Sequence, residues 1–291
     1  MSNLENGGRA PDAHPAKRTG CLLVVGTPIG NLGDFSPRAL EALQQSDFIA
    51  AEDTRVTLKL LNHFGIHKPM VSYFEHNKLE RGGLICSRIE AGETCALVTD
   101  AGMPAISDPG ELLVAQAAER GLPIFVVPGP SAAVSALAVS GLPTGRFSFE
   151  GFLSVNKKNR REHLSGLRED PRTMVFYEAP HKLLATLADM LEVFGDRRIA
   201  IVRELTKIHE EALRTTLSGA VRHFSETPPR GEFVLVLAGA EGRQAEYTPE
   251  QAQELARGFL AEGLSASEAA KQAAALTGLK KGDIYRVLTA K

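Results

Sequence analysis

Cysteine is scarce in this chain: Cys21, Cys86 and Cys95 are the only three among 291 residues, widely spaced and without a CxxC pair. That spacing argues against a disulfide framework or a zinc knuckle and makes buried free thiols the expected state. Long apolar runs are missing too. No stretch of about 18 consecutive apolar residues occurs, so no membrane-spanning helix is expected. The first twenty residues, MSNLENGGRAPDAHPAKRTG, are polar and lack the apolar centre of a signal peptide, and residues 1–19 are expected to be a disordered tail. A soluble, cytoplasmic protein is the expectation. Nor does one sign of charge dominate. With 33 Lys and Arg against 35 Asp and Glu the net charge is -2, so any nucleic-acid contact must use local patches.

What is present is a chain with 43% hydrophobic residues, long enough for two or more compact units. Apolar runs bounded by glycine and proline alternate with stretches of helical periodicity, which is the pattern of an α/β fold with a largely parallel sheet. Strands are expected at 21–25, 47–51, 94–99 and 123–127. Ser36-Pro37, Asp108-Pro109 and Pro130-Ser131 are expected to start helices, with a hydroxyl or carboxylate at the cap or proline at the first helical position. This first α/β domain is placed at 20–142. A second, at 143–239, carries apolar runs at 172–177, 198–203 and 232–237, a candidate strand around 212–217 and a helical period at 181–194, so some antiparallel neighbours are expected there. The polar stretch 240–248 reads as a linker, and 249–291 as helices only.

The loop Gly26-Thr27-Pro28-Ile29-Gly30-Asn31-Leu32-Gly33 leaves a strand with GxxxGxxG spacing. It matches neither the dinucleotide fingerprint nor the phosphate loop, and Pro28 removes an N–H that a phosphate cradle would use. More specific is the stretch from Thr99 to Gly110, TDAGMPAISDPG, where a strand opens into twelve mostly small residues. Such residues let backbone approach a ligand at the carboxyl end of a sheet, and exposed amides and carbonyls suit a zwitterionic amino acid moiety. Pro128-Gly129-Pro130-Ser131 repeats the arrangement one unit later, and two such loops at one sheet edge make a cleft.

The motifs GTPIGNLGD (26–34), AEDTR (51–55), SYFEHN (72–77), TDAGMPAISDPG, PGPSA (128–132), FYEAPH (176–181), RELTK (203–207) and GEFVLV (231–236) occur in this order. Together they resemble the small-subunit rRNA ribose methyltransferases of the tetrapyrrole-methylase superfamily. The resemblance implies a two-domain, dimeric enzyme that binds S-adenosylmethionine between its domains and methylates the ribose 2′-oxygen of a cytidine in the decoding region of 16S rRNA, as bare RNA or in the assembled 30S subunit. Carried onto this sequence, the cofactor pocket would comprise Pro28 and Ile29, then Asp100, Gly102, Met103, Pro104, Ala105 and Ile106, then Ser131 and Ala132, and finally Tyr177 and Leu205. Superfamily relatives acting on tetrapyrroles often carry an acid where Met103 stands here. Two other readings stay open: a small-molecule methyltransferase acting on a tetrapyrrole, and a ligand-sensing helix-turn-helix DNA-binding regulator.

Methyl transfer from a sulfonium to a hydroxyl requires in-line positioning and a proton acceptor, and no metal. Candidate acceptors are Asp53 and Glu52 at the end of a strand, and Glu75 or His76 in SYFEHN. Arg55 is a candidate for holding a phosphate in a forked hydrogen bond. Two basic patches are candidate RNA contacts: Lys157, Lys158, Arg160 and Arg161 within six residues, and Lys280, Lys281 and Arg286 near the C-terminus. The latter accompany a helix–turn–helix pattern over 265–288, with Ala274 as the small residue, Gly278 as the turn, and Ile284 and Val287 as the buried aliphatics.

Overall fold

The computed structural model describes residues 20–240 and 247–289. The expected tail at 1–19, most of the expected linker and Lys291 lie outside these residues. Two compact units are present, divided between Gly239 and Ala240.

The first unit opens with β1 (Leu22–Val25), α1 (Pro37–Gln45), β2 (Phe48–Ala51), α2 (Thr54–His63), β3 (Met70–Ser72), α3 (Lys78–Glu90), β4 (Cys95–Val98), α4 (Glu111–Glu119) and β5 (Ile124–Val127). The strands form one parallel sheet in the order β3-β2-β4-β1-β5. FIAA in β2 and CALV in β4 are fully buried, as strands covered by helices on both faces must be. Ser36 caps α1 by accepting from the Ala39 amide at 3.1 Å, with Pro37 at the first helical position. Cys86 and Cys95 are buried, whereas Cys21 is only half-buried.

The chain continues through α5 (Ala132–Val139), β6 (Phe147–Phe152), α6 (Lys157–Gly166), β7 (Thr173–Glu178), α7 (Pro180–Phe194), β8 (Arg198–Arg203), β9 (Glu211–Thr216), α8 (Leu217–Glu226) and β10 (Phe233–Leu237). The second sheet runs β6-β7-β10-β8-β9, with β6 and β7 parallel and the other pairs antiparallel. Helix α5 precedes residue 142, yet its Ala133, Ala136 and Leu137 pack on Val175, Val202 and Val234 of this second sheet. Helix α5 therefore follows the last strand of the first sheet but is covered by the second.

Three sequence expectations need correction. Strands β3 and β6 add to the expected set: neither carries a clean apolar run, both are half-solvated edge strands, and β6 is interrupted by a bulge. Asp108 does not cap a helix, because α4 begins at Glu111 with Gly110 at its cap. Val287 is exposed at 38%, while Ile284 takes the buried position.

The second unit contains α9 (Pro249–Ala261), α10 (Ala266–Thr277) and α11 (Lys281–Thr289). Ser265 caps α10, and Gly278 closes it in the left-handed region with φ 72°. Ala252, Ala256, Ala270, Ala273 and Ile284 form its small core, so α9 supplies a third wall to the expected hairpin. Among the described residues no helix is long and apolar enough to cross a membrane.

Candidate functional site

All strands of the first sheet are parallel, so the loops after β1, β2, β4 and β5 leave by the same edge, where open α/β sheets bind ligands. In the second sheet β6, β7 and β8 end, and the antiparallel β10 begins, at one edge as well. Residues from both edges line one cavity of about 520 Å³, within the usual range for a small-molecule site.

The first sheet's loops are locked to one another through backbone. Thr27 and Gly102 exchange both amide hydrogen bonds, at 2.9 and 3.2 Å, and the Thr27 hydroxyl donates to the Thr99 carbonyl at 3.2 Å. Gly26 meets Gly129 so closely that a Cβ on Gly26 would stand 2.7 Å from the Gly129 Cα; only hydrogens allow this approach. The Gly129 amide donates to the Met103 sulfur at 3.3 Å. Thus Met103 joins the two small-residue loops. Ala105 and Ser107 hold positive φ, 69° and 63°, a strain kept by loops whose geometry is fixed from outside.

The second sheet contributes Tyr177, whose hydroxyl accepts from the Ala133 amide at 3.2 Å and so satisfies an orphan donor in the first turn of α5. Beside it Glu178, almost fully buried, accepts from Thr186 Oγ1 at 2.5 Å and pairs with Lys182 at 2.9 Å.

Six carboxylates reach the cavity wall: Glu52, Asp100, Asp108, Glu178, Glu204 and Glu232. The one cation among the lining residues is Lys207, which is paired with Glu204 at 3.1 Å and Glu232 at 3.4 Å. Glu52 accepts from Thr99 Oγ1 at 2.5 Å. Burial, and then the charge of Glu52, push the Asp108 carboxyl up to about 6. The same two causes raise Asp100.

A sequence model of the family Tetrapyrrole (Corrin/Porphyrin) Methylases matches residues 22–221. Over 271 residues, 92% of this chain and 97% of the relative, the chain is 47% identical to ribosomal RNA small subunit methyltransferase I of Synechocystis sp.. The chain belongs to the ribosomal RNA small subunit methyltransferase I family. The family member from Thermotoga maritima is 49% identical over 222 residues, 76% of this chain and all of that one. In fold, a crystal structure of uroporphyrin-III C-methyl transferase from Thermus thermophilus complexed with S-adenyl homocysteine aligns with TM-score 0.53 at 19% identity, covering 75% of this chain and 97% of that one.

In this member of the small-subunit rRNA methyltransferase I family, Ile29, Asp100, Gly102, Met103 and Ile106 line the cavity from the first sheet's loops. Ser131 and Ala132 line it from the start of α5, and Tyr177 and Leu205 from the second sheet. Pro28, Pro104 and Ala105 do not; the two prolines are buried behind the loops that do.

Of the residues expected to accept the proton, Glu52 lines this wall, whereas Asp53, Glu75 and His76 do not. Asp53 caps α2 and is held by Arg55, with Nη2 to Oδ2 at 2.6 Å, and this guanidinium lowers its carboxyl to about 2. His76 and Glu75 are exposed after β3, with Glu75 paired to Lys78 at 2.5 Å. Asp108 is the acid that sequence reasoning assigned to a cap; its only sequence signal is its place at the end of the small-residue loop.

The first basic patch divides. Arg160 is buried and pairs with Asp189 at 2.6 Å, so it is unavailable to a phosphate, and Arg161 pairs with Glu192. Lys157 and Lys158 remain exposed at the start of α6. Lys280, Lys281 and Arg286 are exposed on the second unit, with the Lys281 amine donating to Ser267 Oγ at 3.1 Å and Arg286 lying 3.7 Å from Asp283. Among the described residues no cluster of His, Cys, Asp and Glu could hold a metal ion.

Proposed function

We propose that this protein transfers a methyl group from S-adenosylmethionine to the ribose 2′-hydroxyl of a cytidine in the decoding region of 16S rRNA, in the assembled 30S subunit and as a homodimer. The observation that carries this reading is the cavity walled by both sheets, in a chain 47% identical over 92% of its length to a ribosomal RNA small subunit methyltransferase I. The cavity residues fit the cofactor. Apolar Ile29, Met103, Ile106, Val202 and Leu205 suit a nucleoside, while Glu52, Asp100 and Asp108, with which neither Lys182 nor Lys207 pairs, suit a ligand bearing sulfonium and ammonium charges.

When bound, S-adenosylmethionine supplies a methyl group on positively charged sulfur. The chain's own residues hold the nucleophile in line and take its proton. Asp108 is the acceptor that the cavity offers: half-buried, on the wall, with a pKa near the working pH, where a general base is most effective. Burial keeps the Tyr177 hydroxyl protonated, and its oxygen stays committed to the Ala133 amide.

Labelled S-adenosylmethionine, 30S subunits from cells lacking the enzyme and nucleoside mass spectrometry test the reading. Label in 2′-O-methylcytidine is the expected result. Cofactor bound without label in RNA would overturn it in favour of a small-molecule methyltransferase, and a gel-shift preference for operator DNA over 30S subunits would favour the regulator.

Gly102→Val tests the pocket. Gly102 has φ 90°, and a Cβ there would lie 3.4 Å from Ile29 Cγ2. Forcing a branched residue into this region costs about 1–3 kcal/mol, and its methyls enter the cavity. S-adenosylhomocysteine affinity by calorimetry is expected to drop roughly ten- to a hundredfold. Wild-type affinity in the folded variant would place the pocket elsewhere.

Lys280→Glu with Lys281→Glu tests the helical unit as an RNA-docking module. Each lysine that meets a phosphate releases counterions, so the slope of log affinity for 30S subunits against log salt should flatten by about 1 per lysine. Cofactor affinity should stay unchanged. An unaltered slope would remove the docking role.

A further inference from the structure

We infer that Phe152 is the stacking platform for the target nucleobase, an inference that rests on the proposed RNA reading and adds to it the element that receives the base. Along a regular strand, residues 149 and 152 would face opposite sides of the sheet, because side chains alternate with period two. In β6 they do not. The register with β7 passes from Phe149 opposite Val175 to Gly151 opposite Phe176, skipping Glu150, and Gly151 takes φ 63°. This bulge inserts one residue and re-aims the side chain that follows it.

Both rings consequently meet Tyr177 edge to face, Phe149 at 5.0 Å and Phe152 at 5.4 Å between centroids. Their environments differ. Phe149 packs into the core around α5, whereas Phe152 lines the cavity with 57% of its surface exposed. The exposed ring is braced a second time by the Lys182 ammonium, 5.8 Å from its centroid, and that lysine is fixed by Glu178. An apolar ring held from two sides at the wall of a ligand cavity, yet uncovered by the protein, offers a flat π surface.

A ribose hydroxyl can reach a methyl donor inside this cavity only if its nucleotide leaves the RNA stack, and an unstacked base seeks an aromatic surface. Stacking of this kind tolerates any base; the choice of cytosine must come from polar groups elsewhere.

The test is steady-state methylation of 30S subunits by Phe152→Ala, Phe152→Leu, Phe152→Tyr and Phe152→Trp. Alanine and leucine should raise KM for 30S subunits roughly ten- to a hundredfold, with a much smaller change in kcat, while tyrosine and tryptophan restore it. Calorimetric S-adenosylhomocysteine affinity and thermal melting serve as checks that each variant folds. The chain contains no tryptophan, so the indole of Phe152→Trp also reports the ring's surroundings without background. Wild-type KM in Phe152→Ala and Phe152→Leu, with label still reaching RNA, would overturn the stacking role alone. A wild-type enzyme that labels no RNA would remove the RNA reading and this inference together. A change in oligomeric state with KM unchanged would assign Phe152 to a protein interface and overturn the inference.

Discussion

Asp108→Asn is expected to lower kcat for 30S methylation by about a hundredfold to ten-thousandfold, the range that a positioned general base contributes. The substitution keeps size and one acceptor oxygen and removes the ability to take up a proton, so S-adenosylhomocysteine affinity should change far less than the rate. The pH profile separates a base from a merely structural acid. Burial, then Glu52, and more weakly Asp100, raise the Asp108 carboxyl to about 6. Below that pH the acceptor is protonated and the wild-type rate should fall about tenfold per pH unit; above it the rate should level off. In Asp108→Asn this limb should vanish. Asp53→Asn makes the contrast, since a carboxylate held at about 2 by Arg55 and off the cavity wall contributes no limb near pH 6. Retention of the limb in Asp108→Asn would return the acceptor role to another group.

The second large effect concerns stability. Asp189→Ala should destabilise the first unit by about 3–5 kcal/mol, because it leaves the Arg160 guanidinium buried without its counter-charge. The two side chains are only 7% and 5% exposed, and the pair joins α6 to α7 through Nη2–Oδ2 at 2.6 Å and Nε–Oδ2 at 2.8 Å. Lys157, 3.9 Å from the same carboxylate, is two-thirds exposed and can turn to solvent when the carboxylate is lost, whereas Arg160 cannot. Scanning calorimetry should show a fall in Tm on the order of 10 °C. Arg160→Met combined with Asp189→Leu should recover most of the loss, since a buried ion pair replaced by apolar side chains of similar volume is close to neutral. An Asp189→Ala melting point within a degree or two of wild type would show that water reaches the guanidinium.

What the sequence determined by itself was the set of central elements. β1, β2, β4 and β10 are apolar runs between turns because buried strands need them, and Ser36-Pro37 starts a helix by local chemistry alone. Motif order was enough to identify the family. Of the edge strands, β5 and β9 were legible but β3 and β6 were not, since Met70–Ser72 is short and the bulge at Glu150 breaks the alternation of β6. Tertiary structure alone decided which way individual side chains face. Asp53 and Asp108 both follow strands and look alike in sequence, yet Arg55 claims one and the cavity receives the other. Arg160 sits in a basic run that reads as solvated until Asp189, 29 residues on, is folded against it. Helix α5 reads as part of the first domain, but its amide at Ala133 is satisfied by Tyr177, 44 residues away. Periodicity is written in neighbouring residues, whereas the partner of a charge, the end of a helix and the wall of a cavity are set by residues that only folding brings together.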